Sequence, residues 1–122
     1  MKHVLIGSFD LGCEEVGLIV REGVGGEFVT NPRPAISIGI ETHDFGLVME
    51  ALLHEAFEFV AFRLQVRYSP DGSYSSDHGF YLFSFPHSTF SDIVAKVARF
   101  SVPAMPALKA SWEAYHNPRK KR

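Results

Sequence analysis

Residues 45–66 constrain the fold more than any other part of this sequence, because their apolar side chains recur at the 3.6-residue period of an α-helix. Thr42 or Asp44 can cap the start of this helix. Apolar residues occupy most of its circumference, and a helix of that kind has to be covered on several sides by other elements. We therefore expect one long helix at the centre of the fold, whose few polar side chains cannot all face bulk water.

Four polar side chains interrupt the apolar surface of this predicted helix. His54 and Glu58 are four residues apart, so their side chains rise from the same face, with Glu55 beside them. Glu50 lies one turn earlier. An unpaired ionised carboxylate in a dry interior costs roughly several kcal/mol. Such groups are therefore protonated, paired, hydrogen-bonded or bound to a cation, and a divalent metal ion is one candidate partner.

The segment His54-Glu55-Ala56-Phe57-Glu58 resembles the H-E-x-x-H motif of the zincin metallopeptidases at its first two positions and differs at the fifth, where Glu58 replaces a histidine. The resemblance covers this one helix. It implies that His54 and Glu58 bind Zn²⁺ and that Glu55 is the catalytic base acting on metal-bound water. Glu58 can serve as a zinc ligand, but its negative charge should make that water less acidic. The resemblance thus implies a minimal zincin-like metal-binding protein, with metal-dependent peptidase or amide hydrolase activity as a further implication.

Zincins take their third metal ligand from downstream of the motif helix, and four residues of this chain are candidates. His87 is the first choice, because it follows a predicted strand and the junction with the next helix would hold its ring in place. The alternatives are His78, Asp77 and Glu113, the last of which corresponds to zincins whose third ligand is a glutamate. The predicted ligands are therefore His54, Glu58 and His87.

A second interpretation of the same helix is that its polar cluster is inert. His54 would then hydrogen-bond Glu50 or Glu58 within the helix, and Arg63 or Arg67 would neutralise a carboxylate. His87 would cap backbone amides at the start of a helix. The function would be that of a non-catalytic interaction protein, such as a small phage-type accessory protein or inhibitor that binds a protein or peptide partner through an exposed loop or sheet edge. Metal content distinguishes the two interpretations.

The remaining segments predict an α+β fold. Strands and turns precede the long helix, and two shorter helices end the chain, separated by a kink at Pro103 and Pro106. We expect a small, mainly antiparallel sheet packed on the long central helix and the two C-terminal helices. Residues 1–117 are expected to form one domain, followed by a basic tail at 118–122. The predicted strands are residues 3–9, 15–21, 35–41 and 79–85, and the predicted C-terminal helices are residues 89–100 and a short one through Trp112 and Tyr115.

Composition and charge limit the partners and the compartment. A hydrophobic content of 46% with 21% charged residues in 122 residues is typical of a single domain with a core. The net charge of -2 argues against a nucleic-acid-binding surface outside the basic tail. Cys13 is the only cysteine, which excludes an internal disulfide and suits a reducing compartment such as the cytoplasm. No apolar run approaches the ~20 residues of a membrane span, and a homodimer through a sheet edge or the C-terminal helices is left open.

Overall fold

The computed structural model describes residues 2–68 and 82–118. In chain order, its elements are β1 Val4–Asp10, β2 Glu15–Arg21, β3 Gly26–Val29, β4 Ala35–Gly39, α1 Phe45–Arg63, β5 Arg67–Tyr68, β6 Leu82–Phe83 and α2 His87–His116. The first four strands precede both helices, and the two short strands lie between the helices. This arrangement confirms the α+β class that the sequence predicts.

The four longer strands form one mixed sheet in the order β1-β2-β4-β3. β1 pairs antiparallel with β2, and β3 pairs antiparallel with β4. β4 pairs parallel with β2, so it lies between β2 and β3 although it follows both along the chain. The insertion of β4 makes β3 an edge strand of the sheet, with a parallel pairing at the sheet's centre.

A glycine-rich turn at residues 22–25 carries the chain across the end of β4. Gly39 N donates a hydrogen bond to Gly25 O at 2.9 Å, and Glu41 N donates to Gly23 O at 3.1 Å. The turn and β4 approach so closely that a Cβ atom on Gly39 would lie 2.4 Å from Gly23 O. Because of this close crossing, β3 pairs with β4 on the side opposite β2.

The strand predicted at residues 79–85 does not join this sheet, and that expectation is wrong. Within the described residues it is reduced to β6, which pairs with β5 in a separate two-stranded sheet. Residues 79–81 lie outside the described part of the chain. Pairing with β5, which directly follows α1, closes a shorter loop than pairing with strands that precede α1, and loop-closure entropy grows with loop length.

The prediction of a kink and of two separate C-terminal helices is also wrong, because α2 continues unbroken through Pro103 and Pro106. Both prolines lie on its exposed side. The carbonyl groups that lose their helical donors belong to Arg99 and Val102, which are also exposed, so water can satisfy them. A stripe of buried side chains crosses the proline region without interruption, and its burial outweighs the proline penalty. The stripe consists of Ile93, Val97, Phe100, Ala104 and Leu108.

The long helix is confirmed as α1, although it ends at Arg63 rather than at residue 66. Asp44 is its N-cap, since the side chain accepts a hydrogen bond from Gly46 N at 2.8 Å. The two helices pack against each other, and α1 also packs against β3 and β4, whereas α2 packs against β1 and β2. Neither helix in the described part of the chain combines the length and apolar character needed to cross a membrane. The largest fully buried side chains between the sheet and the helices include Phe59, Phe100, Leu18, Ile36, Ile38, Leu52 and Ile93.

Candidate metal site and the groove beside it

α1 presents three candidate metal ligands beside β3. His54, Glu55 and Glu58 each offer one donor atom, and these atoms lie within 4.8 Å of one another. Leu52 and Ala56 of the same helix are fully buried in the core, which turns Glu55 towards β3 and leaves the His54 side chain 62% exposed. Across residues 2–68 and 82–118, this is the group of histidine, cysteine, aspartate or glutamate side chains that comes close enough to share an ion.

Glu58 divides its two carboxylate oxygens between two partners. Oε2 contacts Nε2 of His54, one turn earlier, and Oε1 accepts a hydrogen bond from Nη1 of Arg67 at 3.3 Å. The Arg67 side chain is only 8% exposed, and its guanidinium lies 5.2 Å from the ring centroids of both Phe28 and Phe62. Arg67 therefore orients Glu58 and leaves Oε2 directed towards His54.

Glu55 is the buried carboxyl group of the cluster, with 8% of the residue exposed. Its nearest charged contact is His54 Nε2, at 3.8 Å from Oε2, and it accepts no hydrogen bond from the residues that the structure describes. Burial raises the pKa of the Glu55 carboxyl above its usual 4.5. His54 opposes this rise in pKa, Glu58 adds to it, Arg67 opposes it and Glu27 adds to it, in decreasing order of effect.

The space around Glu55 is open on two sides. A groove of about 530 Å³ runs between residues 26–31 on the sheet edge and Glu58, Phe62 and Arg67 on the helix side. A second cavity of about 370 Å³ lies between the glycine-rich turn and the side of α1 that carries His54. Glu55 lines both. Solvent, an ion or a ligand can thus reach this carboxyl group from either side.

The structure brings together His54, Glu55 and Glu58 but does not place the other candidate ligands with them. His87 is the first residue of α2, is exposed, and has its ring 6.4 Å from that of Phe90. Glu113 is exposed on α2 and is also outside the group. The remaining two alternatives, His78 and Asp77, lie outside the described residues.

The contacts of the two candidate arginines are resolved by the structure. Arg67 binds Glu58, whereas Arg63 binds Glu14, with Nε 2.9 Å from Oε2. The sequence predicts Arg67 as one of two alternative partners of a carboxylate, and it predicts neither β3 nor its groove. β3 has only four residues, and a sequence pattern of that length is too short to distinguish a strand from a turn.

The free energy of unfolding of the natural protein is expected to fall as pH rises, and replacing Glu55 by glutamine should abolish that fall. Because the folded-state pKa of Glu55 is raised, the unfolded chain loses this proton first, and the free energy of unfolding falls as pH rises from about 4.5 through the raised pKa. Glutamine cannot ionise, so the variant should match the natural protein at acidic pH and exceed its stability near neutrality. Urea unfolding of metal-free protein between about pH 4 and pH 8 measures this difference.

The control for this prediction is Glu50→Gln, which alters an exposed carboxyl one turn earlier on the same helix. Its effect on the free energy of unfolding should stay within about 0.5 kcal/mol at each pH. A constant difference between Glu55→Gln and the natural protein across the pH range would contradict the burial argument.

No protein-family model matches this sequence, and no curated protein or solved structure is significantly similar to it. Function is therefore inferred from the chemistry of His54, Glu55 and Glu58 and of the groove beside them.

Proposed function

We propose that this protein binds a divalent metal ion, with Zn²⁺ the favoured ion, through His54, Glu55 and Glu58. The observation that carries the proposal is the convergence of one imidazole nitrogen and two carboxylate oxygens within 4.8 Å on a single helix. One of these groups, Glu55, is buried without a hydrogen bond from the described residues. A cation would stabilise the ionised form of that carboxyl, which burial otherwise disfavours.

The donor set suits zinc in both chemistry and spacing. Zinc binds histidine nitrogen and carboxylate oxygen at roughly 2.0–2.2 Å, so that two ligands of a tetrahedral ion stand about 3.4 Å apart. His54 Nε2 and Glu55 Oε2 are 3.8 Å apart, close to that separation. The ion would replace the direct contact between His54 and Glu58 Oε2, while Arg67 stays on Glu58 Oε1. Hydrogen bonds to ligating carboxylates of this kind commonly support metal sites.

Amide hydrolysis, which the zincin resemblance implies, makes a different demand on Glu55. Zinc at such a site would supply a Lewis acid that polarises a carbonyl oxygen. Glu55 would then have to accept a proton, whereas in the three-donor arrangement it binds the ion. The variant Glu55→Gln separates these roles. If Glu55 is a catalytic base, the variant should still bind the metal but lose hydrolysis. If Glu55 is a metal ligand, the variant should bind the metal more weakly. Hydrolysis stays a prediction, and it requires that Glu55→Gln retains the metal.

Replacing His54 by alanine is expected to weaken zinc binding by a factor of about 100 or more, since even residues that only orient metal ligands contribute 10–100-fold to affinity. Isothermal titration calorimetry on protein stripped with chelator measures the affinity and the number of bound ions. The natural protein should bind about one zinc ion per chain. Zinc at about 100 times its dissociation constant should also raise the free energy of unfolding by about 2.7 kcal/mol.

The matched control is His3→Ala, which removes an exposed histidine outside the site. This variant should bind zinc as the natural protein does. The proposal is wrong if the natural protein takes up no zinc, or if His54→Ala and His3→Ala bind it equally well.

A second function, binding of a protein or peptide partner without catalysis, is favoured by a separate observation. β3 is an edge strand of the sheet, and a groove of about 530 Å³ runs beside it. Exposed strand edges offer backbone groups for pairing with another chain. A partner of this kind agrees with the expected class of accessory or inhibitory proteins, and that biological role stays a prediction.

A further inference from the structure

The hydrogen-bond register of β3 determines which of its backbone groups face the groove. Gly39 N donates to Gly25 O, and the antiparallel register pairs Glu27 with Ser37 and Val29 with Ala35. Alternate residues of an antiparallel strand bond to the same neighbour, so Glu27 and Val29 bond towards β4. The N–H and C=O groups of Gly26 and Phe28 therefore point away from β4. Within the described residues no strand lies beyond β3, so these groups face the groove.

Gly26 allows the Glu55 side chain of α1 to lie directly over β3. A Cβ atom on Gly26 would be 2.9 Å from Cγ of Glu55, which means that the side-chain direction at this position leads straight to Glu55. In an added strand, the residue opposite Gly26 would project its side chain to the same face of the sheet. Glu55 and Ile38 fill the space above Gly26, so a long side chain of an added strand would lie beside Glu55 and could contact its carboxyl group.

The charge of the groove favours a basic side chain at that position. Glu27, Glu55 and Glu58 line the groove with three carboxyl groups, against the single guanidinium of Arg67. That guanidinium is already bound to Glu58 Oε1 and lies over two aromatic rings. Both oxygens of Glu58 already have partners, His54 and Arg67, whereas Glu55 lines the groove and accepts no hydrogen bond from the described residues. A lysine or arginine in the groove could therefore donate to Glu55, with the charge of Glu58 beside it.

We propose that the groove binds an extended peptide, which pairs antiparallel with β3 and places a lysine or arginine opposite Gly26, where it donates to Glu55. This inference rests on the second function proposed above and names the chemistry of the partner. It does not require zinc. The ion and the basic side chain would both use the Glu55 carboxylate, so zinc should compete with the peptide.

The test uses short blocked peptides of the sequence Thr-Val-Lys-Val-Thr, with norleucine or glutamate at the central position as matched controls. Binding is measured by fluorescence anisotropy on full-length protein in the presence of chelator. The lysine peptide should bind about tenfold more tightly than the norleucine peptide, since hydrogen bonds to charged groups contribute roughly that factor, and the glutamate peptide should bind more weakly still. Equal affinities for all three peptides would overturn the proposal.

Strand pairing is tested separately by methylating peptide amides. In antiparallel pairing, the residue opposite Gly26 donates its own N–H to β3, whereas the N–H groups of its two neighbours point away. Methylation of the lysine amide should therefore abolish binding, and methylation of the adjacent valine amide should leave at least about half of the affinity. Equal loss from both methylations would show that the peptide does not pair with β3.

The zinc and peptide experiments can fail independently. Peptide binding in chelator with no zinc uptake supports the edge-strand function and eliminates the metal proposal. Zinc uptake with no preference for the lysine peptide supports the metal proposal and eliminates the proposed recognition of a basic side chain. If both occur, saturating zinc should weaken lysine-peptide binding about tenfold and leave norleucine-peptide binding unchanged.

Discussion

Replacing Arg67 by methionine is expected to lower the free energy of unfolding by about 3–5 kcal/mol, the usual consequence of removing one partner from a buried ion pair. The Arg67 and Glu58 side chains are 8% and 14% exposed, so the carboxylate left behind can recover little hydration. Methionine keeps most of the apolar stem but loses the stacking on Phe28 and Phe62. Urea denaturation of metal-free protein, with His54 present, measures the loss.

A double-mutant cycle separates the ion pair from the packing. Glu58→Gln alone should also destabilise the protein, because it removes the charge of Glu58 from its contact with the buried Arg67 guanidinium. The double variant should lose less stability than the sum of the two single variants, with a coupling of about 0.5–3 kcal/mol. If the two losses are simply additive, the contact between Arg67 and Glu58 contributes nothing and the orientation of Glu58 must have another cause.

Replacing Leu52 by alanine is expected to lower the free energy of unfolding by about 3–5 kcal/mol, a large part of the 5–15 kcal/mol typical of a small domain. Leu52 is 0% exposed, so its removal exchanges apolar contacts for a cavity at the centre of the fold. Because Leu52 helps to set the rotation of α1 on the sheet, the variant should also bind zinc more weakly than the natural protein. Thermal and urea unfolding give the stability, and calorimetry gives the affinity.

The neighbouring residue provides a matched control. Leu53→Ala makes the same chemical change in the same helix, but Leu53 is 42% exposed, and its cost should be about 1 kcal/mol or less. Leu52→Met keeps the side-chain volume and should cost less than about 1.5 kcal/mol. Similar losses in Leu52→Ala and Leu53→Ala would mean that α1 does not pack on the sheet with the rotation described above.

The convergence of His54 and Glu58 shows how much the helical period predicts by itself. Residues four apart share a face in any α-helix, whatever surrounds it, and the two side chains are in contact in the structure. The cap at Asp44 is one of two predicted alternatives. It is also a local feature, because the Asp44 side chain accepts a hydrogen bond from an amide only two residues away. Both features could be predicted because every atom involved lies within about one turn of the helix.

Arg67 and β3 show where prediction from sequence stops. Both Arg63 and Arg67 follow the motif closely enough to reach a carboxylate, and the path of the chain after α1 decides that Arg67 meets Glu58. The groove needs β4 to be inserted between β2 and β3, a pairing between strands that are distant in sequence. Hydrophobic patterning predicts that a segment is a strand but does not identify its neighbours in a sheet.

The two prolines of α2 illustrate a local signal that tertiary packing overrides. Pro103 and Pro106 predict a break, because each removes a helical hydrogen bond. The break does not occur because the buried stripe of α2 continues on both sides of them, and the unsatisfied carbonyls face solvent. The energy that decides the outcome comes from contacts of this stripe with α1, β1 and β2.

By itself, the sequence determined the α+β class, the long helix and the placement of His54, Glu55 and Glu58 on one side of it. These features follow from spacings of three and four residues and from apolar content, which act over short stretches of chain. Only the tertiary structure decided that Glu55 is buried against Gly26, that Glu58 is shared between His54 and Arg67, and that a groove runs along the side of β3 that faces away from β4. The reason is that burial, charge pairing and strand order depend on residues far apart in the chain, whose approach is selected by the packing of the whole core.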